Sequence, residues 1–394
     1  MEDIYLDNNS TTKVLPEVVE AMQRCYQETF ANPASQHRAG QKACSALDRL
    51  RDEMGRLLGL RLDGMPPDRL ILTSGGTEAN NLALRGLCGP PGSNIIVSAI
   101  EHPSVLEPAR FLQTQGYDVR SLPASPVGVV DLAKLHALLD DRTTLVSVML
   151  GNHETGVLQP IRALAELCHR AGVLVHTDAV QTVGKIPVDF QALDVDALSL
   201  AAHKLHGPAG IGALLLRGSV SIQPILFGGF QQGGTRPGTE SLALACGLHA
   251  ALQVWSNNAS QLEMQMRQRR DQLEQSLKSQ IPPVVVNGAD AERLPNTTNI
   301  SLPGADRQAL LLALDMAGVA CSTGSACASG SSEPSPVLLA MGLDRAVVDG
   351  AIRISLSAVT TDAEMEEAAR RIVAVLRRAM TPQSRRNRPA TSRQ

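Results

Sequence analysis

Aromatic residues are scarce: the 394-residue chain holds one Trp, three Tyr and five Phe, 2% of the whole. Base-stacking surfaces for single-stranded nucleic acid depend on aromatic faces, so no such surface is expected. An excess of positive charge is also missing. With 36 Lys and Arg against 39 Asp and Glu the net charge is −3, which leaves no footprint for a polyanion, and no direct nucleic-acid partner is expected. No apolar run approaches the ~20 residues of a membrane-spanning helix. The start, Met1-Glu2-Asp3-Ile4, is acidic and lacks the basic and apolar regions of a secretory signal. Cysteines are few and scattered at 25, 44, 88, 168, 246, 321 and 327. Seven thiols in a chain this long are not expected to form a disulfide framework, and a reducing, cytoplasmic setting is expected. No Cys-x-x-Cys pair occurs, so no metal site is expected.

What is present reads as a globular protein, 43% hydrophobic and 19% charged. From about residue 69 to 216, short apolar runs alternate with helix-period segments. Strands are expected at Arg69–Thr73, Asn94–Ser98, Asp118–Leu122, Thr144–Val148, Val173–His176, Ala197–Ala201 and Ile211–Leu216. Helices between them include Ser104–Thr114, Asp131–Leu139 and Ile161–Ala171. The pattern predicts an α/β fold, a mostly parallel sheet covered by helices, with ligands beyond the carboxyl ends of the strands. A long helix follows from about Leu242 to Leu277, then an α+β pattern. That pattern has strands near Thr298–Leu302 and Ala351–Ser357, a helix at Asp306–Ala317, and a capping box Thr361-Asp362-Ala363-Glu364 opening a last helix. The expected organisation is a large domain at 15–258, a smaller one from 1–14 and 259–380, and a disordered basic tail at 381–394.

Chemistry concentrates in a few runs. Leu200-Ala201-Ala202-His203-Lys204 places a lysine at the end of an apolar strand, where an ammonium loses hydration. A Schiff base with an aldehyde cofactor removes that charge. Asp178-Ala179-Val180-Gln181, after another apolar strand, supplies the carboxylate a pyridinium nitrogen needs, so the two runs point to pyridoxal phosphate. Thr73-Ser74-Gly75-Gly76-Thr77-Glu78 follows a strand and opens a helix, a place where backbone N–H groups cradle phosphate. His102, in Glu101-His102-Pro103, is placed to cover a cofactor ring or shuttle protons. The small-residue run Cys321 to Pro334 suits a thiolate that must be exposed, and Arg353 on an alternating strand suits a carboxylate clamp.

Taken together these runs resemble the cysteine desulfurase family, in the class V aminotransferase group with the fold-type I pyridoxal-phosphate transferase architecture. The resemblance extends from Ile4 to Ala379. It rests on Tyr5 to Thr12, Asn32 to His37, Thr73 to Asn81, Glu101-His102-Pro103, His176 to Gln181, His203-Lys204, Arg236 to Glu240, Gly324 to Cys327 and Glu333 to Pro336. The long Gly/Ser run around Cys327 is similar to the first desulfurase class, which serves iron–sulfur assembly and tRNA thiolation.

The resemblance implies roles for positions in this chain. Lys204 is the Schiff-base lysine, and Asp178 pairs with the pyridinium nitrogen. Gln181 approaches the phenolic oxygen and His102 stacks on the ring. Gly76, Thr77 and His203 hold the phosphate of pyridoxal 5'-phosphate, with Thr239 reaching in from a second copy of a homodimer. Arg353 and Asn8 bind the L-cysteine substrate, and Cys327 is the nucleophile that takes its sulfur. The implied partners are sulfur-acceptor proteins, an iron–sulfur scaffold or a tRNA-thiolation carrier. Two positions depart from the family pattern: His153 stands where an asparagine contacts the phenolic oxygen, and Ala201 replaces a phosphate-binding serine. An imidazole at 153 is expected to donate to that oxygen and to gain a proton near neutral pH. A selenocysteine lyase, and a desulfurase-like binding partner with weak catalysis, are the rival readings.

Overall fold

The computed structural model describes residues 3–324 and 333–380. The chain opens with β1 (Ile4–Tyr5) and the helices Pro16–Glu28 and Arg38–Leu57. The main sheet follows, from β2 (Arg69–Thr73), β3 (Asn94–Ser98), β4 (Asp118–Leu122), β5 (Thr143–Ser147), β6 (Leu174–Asp178), β7 (Ala197–Ala201) and β8 (Gly212–Leu216). Their spatial order is β2-β8-β7-β6-β5-β3-β4. All pairings are parallel except those of β8, which runs against both β2 and β7.

The strand sequences explain the layering. Alternate side chains point to opposite faces of a strand. Leu70, Leu72, Ile96, Val146, Leu198, Leu200 and Leu215 enter one apolar cluster, with the helices that begin at Pro16, Arg38, Ile161 and Leu242. Ile71, Ile95, Val97, Leu145, Ala197, Leu214 and Leu216 enter a second cluster, with helices Gly76–Leu87 and Pro103–Thr114. Both faces of the sheet are therefore covered, and inner strands such as β7 and β8 read as near-continuous apolar runs, whereas the edge strand β4 carries Asp118, Arg120 and Ser121.

Helix Leu242–Gln280 is continuous over 39 residues. Its last turns, through Leu273 and Leu277, join a third apolar cluster with Ile4, Leu6, Ile300, Leu314, Ile354 and Ile372. That cluster packs β9 (Val285–Val286), β10 (Thr297–Ser301), β11 (Val319–Ala320) and β12 (Ala351–Ser355) against helices Arg307–Met316 and Asp362–Met380. β1 pairs in parallel with β11, and Asp7 bridges to Ser355, so the first residues of the chain lie beside β12. This return brings Asn8, Asn9 and Ser10 to the carboxyl ends of the main sheet.

The seven strands expected for the main sheet are all found, with shifts of one or two residues. β6 runs on to Asp178, which is thus the last residue of a strand and not the first of a loop. The capping box is formed: Glu364 N–H donates to Thr361 Oγ1 at 3.2 Å and Thr361 N–H to the Glu364 carboxylate at 2.7 Å.

Candidate active site

Five parallel strands end on the same edge, and each is followed by a residue of interest. β7 passes directly into a 3-10 turn, Ala202–Lys204, that carries His203 and Lys204. β6 ends on Asp178, β3 leads to Glu101 and His102, β5 to Asn152 and His153, and β2 to Gly75 and Gly76. Parallel strands under helices bring these residues together although they are far apart in sequence.

The amine of Lys204 donates to the carbonyls of Asn9 and Ser10, each at 2.6 Å. Asp178 is buried. Its Oδ2 accepts from the Asn80 amide at 2.7 Å and its Oδ1 from the Val180 N–H at 2.9 Å. Burial pushes the Asp178 carboxyl above its ordinary value, opposed by the Val180 N–H, His102, the Asn80 amide and Lys204. A cation brought against this carboxylate would stabilise its charged form.

Asn80 also donates to Ser104 Oγ at 2.8 Å, and Ser104 Oγ lies 2.7 Å from His102 Nδ1. The Ser104 N–H donates to the same nitrogen at 3.1 Å, with His102 capping helix Pro103–Thr114. Because Nδ1 accepts both contacts, the proton of a neutral His102 ring sits on Nε2. Asn80 and Ser104 thus set the orientation and tautomer of His102. No role is assigned to them above, although Asn80 lies inside the Thr73–Asn81 run.

Gly75 has φ +155°, a backbone open to few residues but glycine, and among the described residues no side chain caps helix Gly76–Leu87. A Cβ on Gly76 would stand 2.7 Å from a methyl of Val180. The first N–H groups of a helix lack intrahelical acceptors and favour an anion, so this bend is suited to phosphate. The Ala201 methyl lies 3.6 Å from that same Cβ position, so the departure at 201 removes a hydroxyl at the cradle itself. Thr77 is exposed, beside His102 and Ser104. His203 Nδ1 is 3.3 Å from Thr11 Oγ1, and burial with the charges of Lys204 and Lys185 pushes its pKa down to about 4. Thr239 is exposed on its own chain, in a stretch that Arg236 ties to Glu78 by a 2.7 Å ion pair.

Gln181 donates to the Asn9 carbonyl at 2.9 Å and accepts from Lys185 Nζ at 2.8 Å. Burial, together with Lys204 and Arg353, holds the Lys185 amine well below its ordinary value. Lys185 is a partner the sequence reading misses; its signal is a lysine four positions after Gln181 in an otherwise apolar run.

Arg353 is buried, and part of its guanidinium is already engaged within the chain. Nη2 donates to Asp7 at 2.6 Å and to Ser10 Oγ at 2.9 Å, and Nη1 donates to the His153 carbonyl at 3.0 Å. Its Nε is buried with no partner among the described residues. Asn8 gives its amide hydrogens to the carbonyls of Ser355 at 2.9 Å and Tyr5 at 3.3 Å, and so fastens the start of the chain to β12.

The His153 ring stands edge-on to His102, with centroids 5.3 Å apart and planes at 82°. Its Nδ1 is buried with no partner among the described residues. Burial and the charges of His102, Arg353 and Lys204 keep its pKa well below 6.5. Burial and these neighbouring charges thus oppose the protonation expected of this ring and favour the neutral imidazole. Histidine-selective nitrogen-15 NMR should show no titration of this ring near neutral pH; a midpoint at the ordinary 6.5 would contradict the burial argument.

Cys327 lies outside the described residues. Cys321 is described, and burial together with Asp7 pushes its thiol up to about 12. A thiol held in that state is a poor nucleophile. Among the described residues, no group of His, Cys, Asp and Glu suits a metal ion.

Residues 4–367 match the family model for aminotransferase class-V proteins. A protein of Trichormus azollae named cysteine desulfurase is 42% identical over 368 residues, 93% of this chain and 91% of that protein. One of Azotobacter vinelandii named cysteine desulfurase NifS is 40% identical over 374 residues, 94% and 92% of the two. Among solved structures, a NifS-like protein superposes with a TM-score of 0.87 at 33% identity, covering 95% of this chain and 99% of that one. The NifS-like protein of Rickettsia africae ESF-5 gives 0.86 at 30% identity, with the same coverage.

Proposed function

Since the chain belongs to the aminotransferase class-V family, in its cysteine desulfurase group, we propose that it is a pyridoxal 5'-phosphate-dependent L-cysteine desulfurase that collects sulfur on Cys327. The observation that carries this reading is the buried Asp178 carboxylate sharing one site with the Lys204 amine, beside an uncapped Gly75–Gly76 helix start. Asn80 Oδ1, His153 Nδ1 and Arg353 Nε, without partners among the described residues, are buried in the same neighbourhood, and a polar ring with a phosphate and a substrate carboxylate suits that donor and acceptor set.

In this reading Gly76, Thr77 and His203 hold the phosphate, with Thr239 contributed by a second copy of the chain. Asp178 keeps the ring nitrogen protonated. Gln181 and His153 serve the phenolic oxygen, and His102 covers the ring. When bound, the cofactor supplies an electron sink for the carbanion left after loss of the substrate Cα proton. Lys204 holds its amine at the mouth of β7 and takes that proton. Arg353 orients the substrate through its carboxylate. The Cys327 thiolate attacks the substrate sulfur. A sulfur–sulfur bond forms as the carbon–sulfur bond breaks, and the carbon takes a proton, so L-cysteine and a thiol give L-alanine and a persulfide. Release of alanine and sulfide from L-cysteine by the cofactor-loaded protein, in the presence of a reductant, tests the reading; an inert protein would end it.

The further calls belong to the same proposal. The persulfide passes to an acceptor protein, either an iron–sulfur scaffold or a tRNA-thiolation carrier, in the cytoplasm. Among the described residues, no helix is long and apolar enough to cross a membrane. A homodimer is supported by Phe227 and Phe230, 89% and 85% exposed and close in sequence to Thr239. A large domain at 15–258 and a smaller one from 1–14 and 259–380 are supported by the separate apolar cluster around Ile4, Ile300 and Ile354. The tail at 381–394 lies outside the described residues.

Arg353→Ala is expected to raise the KM for L-cysteine by roughly 10- to 150-fold, the effect of one charge-assisted contact. Cofactor affinity should change little. Steady-state kinetics beside a cofactor titration check this, and an unaltered KM would remove Arg353 from the substrate site.

A further inference from the structure

The two stretches of chain that flank the segment bearing Cys327 meet at one carboxylate, that of Glu154. On the upstream side, Ser322 exchanges backbone hydrogen bonds with Arg353 of β12, at 2.6 and 3.1 Å. Gly324 then turns with φ +91°, its N–H on Ser322 Oγ at 3.2 Å. A Cβ at Gly324 would lie 2.5 Å from Glu154 Oε2, so both the φ and the close approach require glycine. On the downstream side, the Ser335 hydroxyl donates to the same Oε2 at 2.5 Å. Ser335 Oγ also accepts the Leu338 N–H at 3.0 Å, so this hydroxyl starts the helix Pro336–Ala340.

Glu154 is itself held firmly. It is 1% exposed, its N–H donates to Asn152 Oδ1 at 2.9 Å, and its carbonyl accepts from Asn299 at 3.4 Å. It follows His153 in sequence, and its Oε1 is 3.7 Å from the His153 ring. Burial pushes its carboxyl up to about 7, opposed by the Ser335 hydroxyl and Arg353. A buried acidic group of this kind needs a reason to be retained. Its Oε2 faces Ser335 and Gly324, and its Oε1 faces the His153 ring.

We propose that Glu154 is a positioning residue for sulfur transfer: its carboxylate holds Ser335 by a hydrogen bond and packs against Gly324, beside His153 and Arg353, and so sets the places of the two residues on either side of the Cys327-bearing segment. The inference rests on the desulfurase reading for its consequence in turnover, but not for the contacts themselves. The single oxygen of an amide can accept the Ser335 proton as a carboxyl oxygen does, so Glu154→Gln keeps the tie and Glu154→Ala loses it.

The test combines hydrogen exchange of peptides covering residues 317–341 with the rate of Cys327 alkylation by iodoacetamide, both on the cofactor-loaded protein. Glu154→Ala should speed exchange in those peptides and change the alkylation rate several-fold, with kcat down about 10- to 100-fold and KM for L-cysteine within about two-fold. Glu154→Gln should stay near the native values. Ser335→Ala should follow Glu154→Ala, and the double variant should add little to either. If Glu154→Ala does not fold, the same measurements on Ser335→Ala decide. Unchanged exchange in 317–341, or a loss of cofactor affinity with Ser335→Ala silent, would overturn the assignment. Exchange and alkylation need no turnover, so an inert native protein would end the desulfurase reading without deciding this one.

Discussion

Lys204→Ala is expected to leave a folded protein that releases no measurable alanine from L-cysteine, a fall of roughly 10²–10⁴-fold or more for removal of a general base alone. Two hydrogen bonds, to the carbonyls of Asn9 and Ser10, are lost with the amine, each contributing about 0.5–1.5 kcal/mol, so the melting temperature should drop modestly. The cofactor should bind loosely and wash out. In the native protein, borohydride followed by peptide mapping should leave the cofactor fixed at Lys204. The variant also changes its surroundings, because the Lys204 charge helps to hold down His203 and Lys185. Lys185 offers a second buried amine near Gln181, so cofactor fixed at Lys185 in native protein would reverse the assignment.

Cys327→Ser should be as damaging to product formation and far milder on binding. The variant should retain the cofactor and change its absorbance on adding L-cysteine, because Lys204, Asp178 and Arg353 are intact. It should form no persulfide. Cys321→Ser is the control. Its thiol, pushed up to about 12, is a poor thiolate source, and turnover should survive its removal. Loss of turnover in Cys321→Ser with a working Cys327→Ser would exchange the two roles.

Much of the fold was legible because the main sheet is buried on both faces. Runs such as Ala197–Ala201 and Gly212–Leu216 carry no polar interruption apart from Ser199, and strand continuity showed in composition alone. The reversed direction of β8 was not legible, since direction depends on connection and not on residue type. The two helices within residues 16–57 were not legible: helix Arg38–Leu57 buries only Gly40, Ala43, Leu47, Met54 and Gly55, a thin apolar stripe. In the site, Lys204 and Asp178 stood out because a charge at the end of an apolar strand is costly. Asn80, Ser104, Asp7 and Lys185 did not. Their roles depend on partners 24 to 346 positions away for Asn80, Ser104 and Asp7, which only the fold supplies. The burial and neighbouring charges that disfavour a charged His153 are likewise tertiary, and the sequence does not show them.

The most direct measurement is peptide mapping by mass spectrometry after one equivalent of L-cysteine is given to the cofactor-loaded protein without reductant. The account predicts one equivalent of alanine and one added sulfur atom on the peptide carrying Cys327. Alanine with no sulfur on Cys327, or sulfur on another cysteine, would contradict it.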